Sequence, residues 1–234
     1  MRFQNRVVLI TGGTASLGSA VTTAFLQAGS RVAVTYRRPQ EFEKLKELAG
    51  ASAGRLHGFA ANLVEEASVQ AMVQQVAALG PVQVLVNLVG GFFGGVAVHN
   101  MSLEEWDKII DLNLKSVFLT CKHVLPLMQQ QNAGRIINVS SQGGLHGGAG
   151  ISAYGAAKAA VINFTQTLAA EGKPHGITAN VVIPGIIDTP ANRQAMPNAD
   201  FSRWVTPAAV AHAILFLAAE ETEAITGASL PVFG

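Results

Sequence analysis

The chain has 234 residues, 49% of them hydrophobic and 13% charged, with a formal net charge of +1. That length carries one domain with a sizeable core, and a near-neutral chain without a basic block excludes the electrostatic footprint of a nucleic-acid or anionic-membrane binder. The single cysteine, Cys121, excludes an internal disulfide, and no apolar run approaches the ~20 residues of a membrane span. The first strand begins too early to leave room for a signal peptide, so a cytoplasmic protein is expected. His123 and His175 lack metal-ligand spacing, and no metal is expected.

Short apolar runs alternate with helical periodicity along the whole length. Strands are predicted at 6–11, 31–36, 55–60, 82–87, 135–140, 177–183 and 229–233, and helices near 17–28, 40–49, 66–79, 102–130, 152–172 and 206–219. This alternation implies βαβ units, a parallel sheet and right-handed crossovers. Gly- and Pro-rich pieces at 90–95, 143–150 and 184–198 follow strands four, five and six. They leave the carboxyl ends of the strands, where open parallel sheets bind ligands.

The first strand runs into Thr11-Gly12-Gly13-Thr14-Ala15-Ser16-Leu17-Gly18, ahead of a helix beginning near Ser19. Glycines there let the backbone approach a pyrophosphate at a helix N-terminus, although a tight β–α turn needs the same residues. The second strand ends in Tyr36-Arg37-Arg38. Two arginines, with no acid at that point, suit a phosphate through charge-assisted bonds; two solvated loop arginines are the plainer alternative. The fourth strand opens onto Gly90-Gly91-Phe92-Phe93-Gly94-Gly95, whose aromatics either wall an apolar substrate or pack under the loop. The helical stretch after Ser102 carries Asn113, a residue slightly unfavourable inside a helix.

The fifth strand ends in Ser140-Ser141, and the helix beyond it carries Tyr154 and Lys158. Residues four apart share a helix face, and an ammonium beside a phenol favours the phenolate, lowering its pKa. A tyrosine tuned in that way exchanges a proton with a carbonyl or alcohol oxygen, which Ser141 can also hold. An incidental exposed Tyr-x-x-x-Lys pair is the alternative. His146, in the intervening loop, either touches substrate or is simply exposed. The sixth strand runs into Pro184-Gly185-Ile186-Ile187-Asp188-Thr189-Pro190, and residues 190–204 read as a mobile lid offering Met196, Phe201 and Trp204 to a substrate.

On these motifs the chain resembles the short-chain dehydrogenase/reductase family over nearly its whole length, and is similar to its 3-oxoacyl-acyl-carrier-protein reductase-like members. The family's opening T-G-x-x-x-G-x-G is met by Thr11, Gly12 and Gly18, with Ser16 in place of the middle glycine. Its N-N-A-G is matched at Asn87 and Gly90 but not at Leu88 and Val89, and Phe233 stands where an aspartate is frequent. The resemblance implies one doubly wound, Rossmann-type α/β domain over residues 1–234, with a central seven-stranded parallel sheet and helices on both faces.

The resemblance also implies a catalytic set of Asn113, Ser141, Tyr154 and Lys158, in which Asn113 holds a water bonded to the lysine and relays protons. Cofactor contacts are implied at Gly12, Thr14, Ser16, Leu17 and Gly18 in the first turn, and at Arg37 and Arg38 after the second strand. Asn62, with Leu63, would lie near the adenine or else cap the following helix, Asn87 would tie neighbouring strands together at the cofactor site, and Gly90 would let the backbone pass close to the cofactor. Tyr154 and Lys158 would meet the nicotinamide ribose, and Pro184, Gly185, Ile187 and Thr189 the nicotinamide itself. The cofactor expected is NADP(H) in preference to NAD(H). The activity expected is hydride transfer between it and a small carbonyl or alcohol substrate, foremost 3-oxoacyl-type reduction. A homotetramer built on the helices at 102–130 and 152–172 is expected. Two other readings stay open: a non-catalytic dinucleotide sensor, supported by Ser16 and Val89, and a pteridine-type reductase, suggested by the Gly-Gly-Phe-Phe-Gly-Gly loop.

Overall fold

The computed structural model describes residues 3–234. Seven strands, β1 (Val7–Thr11), β2 (Arg31–Tyr36), β3 (Leu56–Ala60), β4 (Val82–Asn87), β5 (Gly134–Val139), β6 (Ile177–Pro184) and β7 (Ser229–Val232), form one sheet. Every neighbouring pair is parallel, in the order β3-β2-β1-β4-β5-β6-β7. The helices are α1 (Ser16–Gln27), α2 (Pro39–Ala49), α3 (Glu66–Ala77), α4 (Leu103–Ile110), α5 (Ser116–Gln131), α6 (Ser152–Gly172), α7 (Pro190–Ala195) and α8 (Pro207–Ala218).

The central strands are runs of β-branched and aliphatic residues because both faces of the sheet are covered. Successive side chains point to opposite faces. Leu9, Leu85 and Ile136 pack against Val69 and Val73 of α3, Val117 and Val124 of α5, and Val161 of α6. Val8, Ile10, Val84, Val86 and Ile137 face the other way, onto Val21 and Phe25 of α1 and Val210 and Ile214 of α8. The strand order reverses between β1 and β4, so their outgoing loops diverge and open a crevice at the carboxyl ends of the strands.

Two expectations are corrected here. The predicted helix at 102–130 is two helices, α4 and α5, joined through a π-helical turn at Asp111–Lys115. Helix α1 begins at Ser16 rather than near Ser19. Residues 190–204, the segment read as a lid, form a flap tied at its base. A bridge between Ile187 and Val205 closes it, with the Asp188 N–H donating to Val205 O at 2.8 Å and the Val205 N–H to Ile186 O at 2.9 Å. Inside it Arg193 grips Asp188 through two bonds of 2.6 and 2.8 Å and lies over the Phe201 ring, which packs on Trp204 at 4.7 Å. Trp204 is buried and Phe201 is committed to this stack, because their apolar area is worth more inside the flap than in water. Met196 is half-buried.

Candidate active site

The floor of the crevice is a buried polar tie. Thr11 Oγ1 donates to Asn87 Oδ1 at 3.4 Å, Asn87 Nδ2 to Asn138 Oδ1 at 2.9 Å, and Asn138 Nδ2 to Thr165 Oγ1 at 2.9 Å. These bonds join β1, β4, β5 and α6. Unpaired amides buried this deeply would each be strongly destabilising, so the tie holds the strand ends in register. Asn87 is spent on it and on Cys121, its side chain tying β4 to the neighbouring strands.

Above the floor lies the reactive cluster. Ser141 ends the β5 segment in extended conformation, its Oγ accepting the Gly143 N–H at 3.1 Å. Ser140 points the other way, donating to the Lys158 carbonyl at 2.8 Å. Tyr154 and Lys158 come from successive turns of α6. The Lys158 Nζ lies 5.9 Å from the Tyr154 ring centroid and donates to Val139 O at 3.1 Å. Burial pushes the Lys158 ammonium down to about 8. The same burial raises the Tyr154 phenol above its ordinary value, against a lowering contribution from Ser141. Lys158 was expected to lower that pKa. Desolvation outweighs any such lowering, with the ammonium under the ring face.

Asn113 sits in the π turn, a widened step that recurs at functional sites. Its Oδ1 accepts the Gly91 N–H at 3.1 Å, and its Nδ2 donates to Gly91 O at 3.1 Å and to Ile109 O at 3.0 Å. The side-chain amide thereby straps the β4–α4 loop, with one lone pair of Oδ1 left over. A Cβ on Gly90 would stand 2.8 Å from Asn113 Oδ1 and 3.1 Å from Lys158 Nζ, so only glycine lets the loop pass between them. Phe92 of this loop is exposed and meets the Tyr154 ring edge-on at 5.2 Å, while Phe93 is half-buried. His146 is exposed.

The first turn fits a dinucleotide pyrophosphate. Gly12 adopts φ +68°, and a Cβ on Gly18 would fall 2.0 Å from Gly12 O, so the chain can fold this tightly only with glycine at both. The Gly12 N–H is held by Thr35 Oγ1 at 3.0 Å, and Val89 packs on Gly12. No side chain caps α1 at Ala15, which leaves the first-turn N–H groups around Ser16 and Leu17 available to an anion.

Beyond the turn, Arg37 and Arg38 are both exposed, but only Arg37 carries no partner among the described contacts. Arg38 is paired with Glu41, which the sequence reading passed over, and Thr14 donates to the same carboxylate. Asn62 bonds within the approach to α3: its Nδ2 donates to Glu65 at 2.7 Å and its Oδ1 accepts the Val64 N–H at 3.4 Å. The Leu63 side chain is in the core. At the far end Pro184 is buried and Gly185 half-buried. Ile187 O accepts Asn192 Nδ2 at 2.8 Å, and Thr189 Oγ1 caps α7 by accepting the Asn192 N–H at 3.2 Å while keeping its own proton to donate.

Comparison with known proteins bears on this geometry directly. A family model described as short chain dehydrogenase matches residues 6–200. The 3-oxoacyl-[acyl-carrier-protein] reductase FabG of Thermotoga maritima is 34% identical, covering 100% of this chain and 98% of its own. The acetoacetyl-CoA reductase of Shinella zoogloeoides is 33% identical over 98% of both. Among solved structures, ElxO with NADP bound superposes with a TM-score of 0.92 at 29% identity, covering 98% of this chain and 97% of that one. Matched by this family model over residues 6–200 and by relatives at more than 30% identity along its full length, this chain belongs to the short-chain dehydrogenase family.

Proposed function

We propose that the protein is an NADP(H)-dependent carbonyl reductase acting on an apolar carbonyl compound of the 3-oxoacyl type. The observation that carries this reading is the mutual placement of Ser141, Tyr154 and Lys158, with Ser141 near enough to act on the Tyr154 phenol and the ammonium under the phenol ring. When bound, the nicotinamide supplies or accepts the hydride. The chain's own groups do the rest. A phenol whose pKa is raised stays protonated at neutral pH, ready to donate to a carbonyl oxygen. Ser141 donates to the same oxygen and orients it. The negative charge left on Tyr154 then lies over the Lys158 ammonium, and Asn113 holds Gly90 and Gly91 so that the lysine keeps its position.

Gly12, Gly18, Ser16 and Leu17 would hold the pyrophosphate, with Arg37 and Arg38 at the 2′-phosphate and Ile187 and Thr189 near the carboxamide. The name of each curated relative above specifies reduction of a 3-oxo thioester, which supports that substrate class. Exposed Phe92, Leu145 and Ile186, one from each loop after β4, β5 and β6, support an apolar substituent. Among the described residues no helix is long and apolar enough to cross a membrane. Exposed Leu103, Trp106 and Phe118 on α4 and α5 support a homo-oligomer, read as a cytoplasmic tetramer.

The test is a panel of 3-oxoacyl thioesters and aryl ketones with either dinucleotide, run on wild type and Tyr154→Phe. Loss of the phenolic proton is expected to lower turnover by about 10²–10⁴-fold with NADPH binding largely intact. Turnover unchanged in Tyr154→Phe refutes the mechanism.

A further inference from the structure

The end of β2 carries no acid in sequence, but the fold returns one to it. Arg38 is the N-cap of α2 and Pro39 its first helical residue, which puts Glu41 in the first turn, folded back toward Arg38. The Glu41 N–H donates to Arg38 O at 3.0 Å. Both carboxylate oxygens are engaged: Oε1 accepts Arg38 Nε at 2.9 Å and also its Nη2, and Oε2 accepts Thr14 Oγ1 at 3.4 Å. Glu41 thus spans from the turn that fits a pyrophosphate to the arginines beyond it. Its side chain is 33% exposed against 76% for Arg38, so the carboxylate is the better-held partner. Arg37 is left as the unpaired cation.

We infer that Glu41 is a built-in counter-ion which a 2′-phosphate must displace from Arg38, and that it sets the preference between NADP(H) and NAD(H). The inference rests on the dinucleotide reading above. A phosphate arriving at Arg38 meets a guanidinium already neutralised and a carboxylate that repels it. A ribose bearing a free 2′-OH meets no such obstacle, because a hydroxyl can donate to the carboxylate that excludes a phosphate. The site is therefore a balance of Arg37 against Glu41, and the two-arginine motif overstates its preference for NADP(H).

Glu41→Gln keeps the shape and a hydrogen-bond acceptor for Thr14 while removing the charge. An exposed ion pair of this kind is worth up to about fivefold in a binding constant, so the Kd for NADPH is expected to fall about fivefold while that for NADH is unchanged or rises. Calorimetric titration of wild type, Glu41→Gln and Glu43→Gln with each dinucleotide reads this without turnover. Glu43 pairs outward with Lys46, so its variant loses the same surface charge without touching Arg38 and should leave the ratio alone. An unchanged or falling preference in Glu41→Gln overturns the inference, as does an equal shift in Glu43→Gln. A wild-type chain that binds neither dinucleotide overturns the functional reading and this inference with it.

Discussion

Lys158→Met is expected to change the stability of the protein in a pH-dependent way that exposes what the site costs. Burial holds the Lys158 ammonium at about 8, against 10.5 for an ordinary lysine. Below about 8 the side chain is charged in both states, and the folded state bears the full penalty of burying it. Between about 8 and 10.5 the folded lysine is neutral while the unfolded one keeps its proton, so stability rises with pH until the penalty is gone. A displacement of this size corresponds to about 3 kcal/mol. Methionine removes the charge but leaves Val139 O without its 3.1 Å donor, and losing that bond takes back about 1–3 kcal/mol. The variant should therefore be more stable than wild type by about 1 kcal/mol at neutral pH and less stable than wild type in strong alkali, where the neutral lysine still donates.

Urea unfolding followed through the buried Trp204, at intervals across the neutral-to-alkaline range, measures the difference. Burial also pushes the Cys121 thiol up to about 12. That works the opposite way, since the unfolded thiol ionises first and stability is lost as pH rises. Cys121 is present in both proteins and cancels in the difference. A gap between the two proteins that does not move with pH would mean that the folded lysine titrates normally, and the account of its burial would fall.

Two further outcomes follow from the same cluster. The chain has two tyrosines, so Tyr36→Phe leaves Tyr154 as the only phenol. Without dinucleotide it is expected to ionise above the ordinary tyrosine value in an ultraviolet pH titration, and higher still in Ser141→Ala; ionisation below that value contradicts the dominance of burial. Gly90→Ala would press a methyl onto Asn113 and Lys158. Such overpacking costs about 1–3 kcal/mol and should lower the melting temperature by about 2–10 °C together with turnover, whereas an unaltered melting temperature and rate would rule out the close approach.

The sequence by itself determined the sheet and the position of the helix that carries Tyr154 and Lys158. The strands at 31–36 and 82–87 and the helix at 152–172 stand where predicted, since each is a periodic run bounded by glycine, proline or asparagine. Tyr154 and Lys158 were legible as a pair because helical spacing is a local property. Glu41 could have been found the same way, three residues after Arg38 at the start of a predicted helix, had the pairing of that arginine been asked about.

Other features belong to the tertiary structure alone. The π turn at Asp111–Lys115 appears where Asn113 grips Gly91, 22 residues earlier in the chain. Trp204 is buried because the flap closes on Val205, and Asn87 faces inward because β1 and β5 flank its strand. The direction of the Tyr154 pKa follows from how much protein surrounds the phenol, and no spacing encodes that. Local patterns carry period and propensity, whereas desolvation and the choice of hydrogen-bond partner depend on atoms brought together from distant parts of the chain.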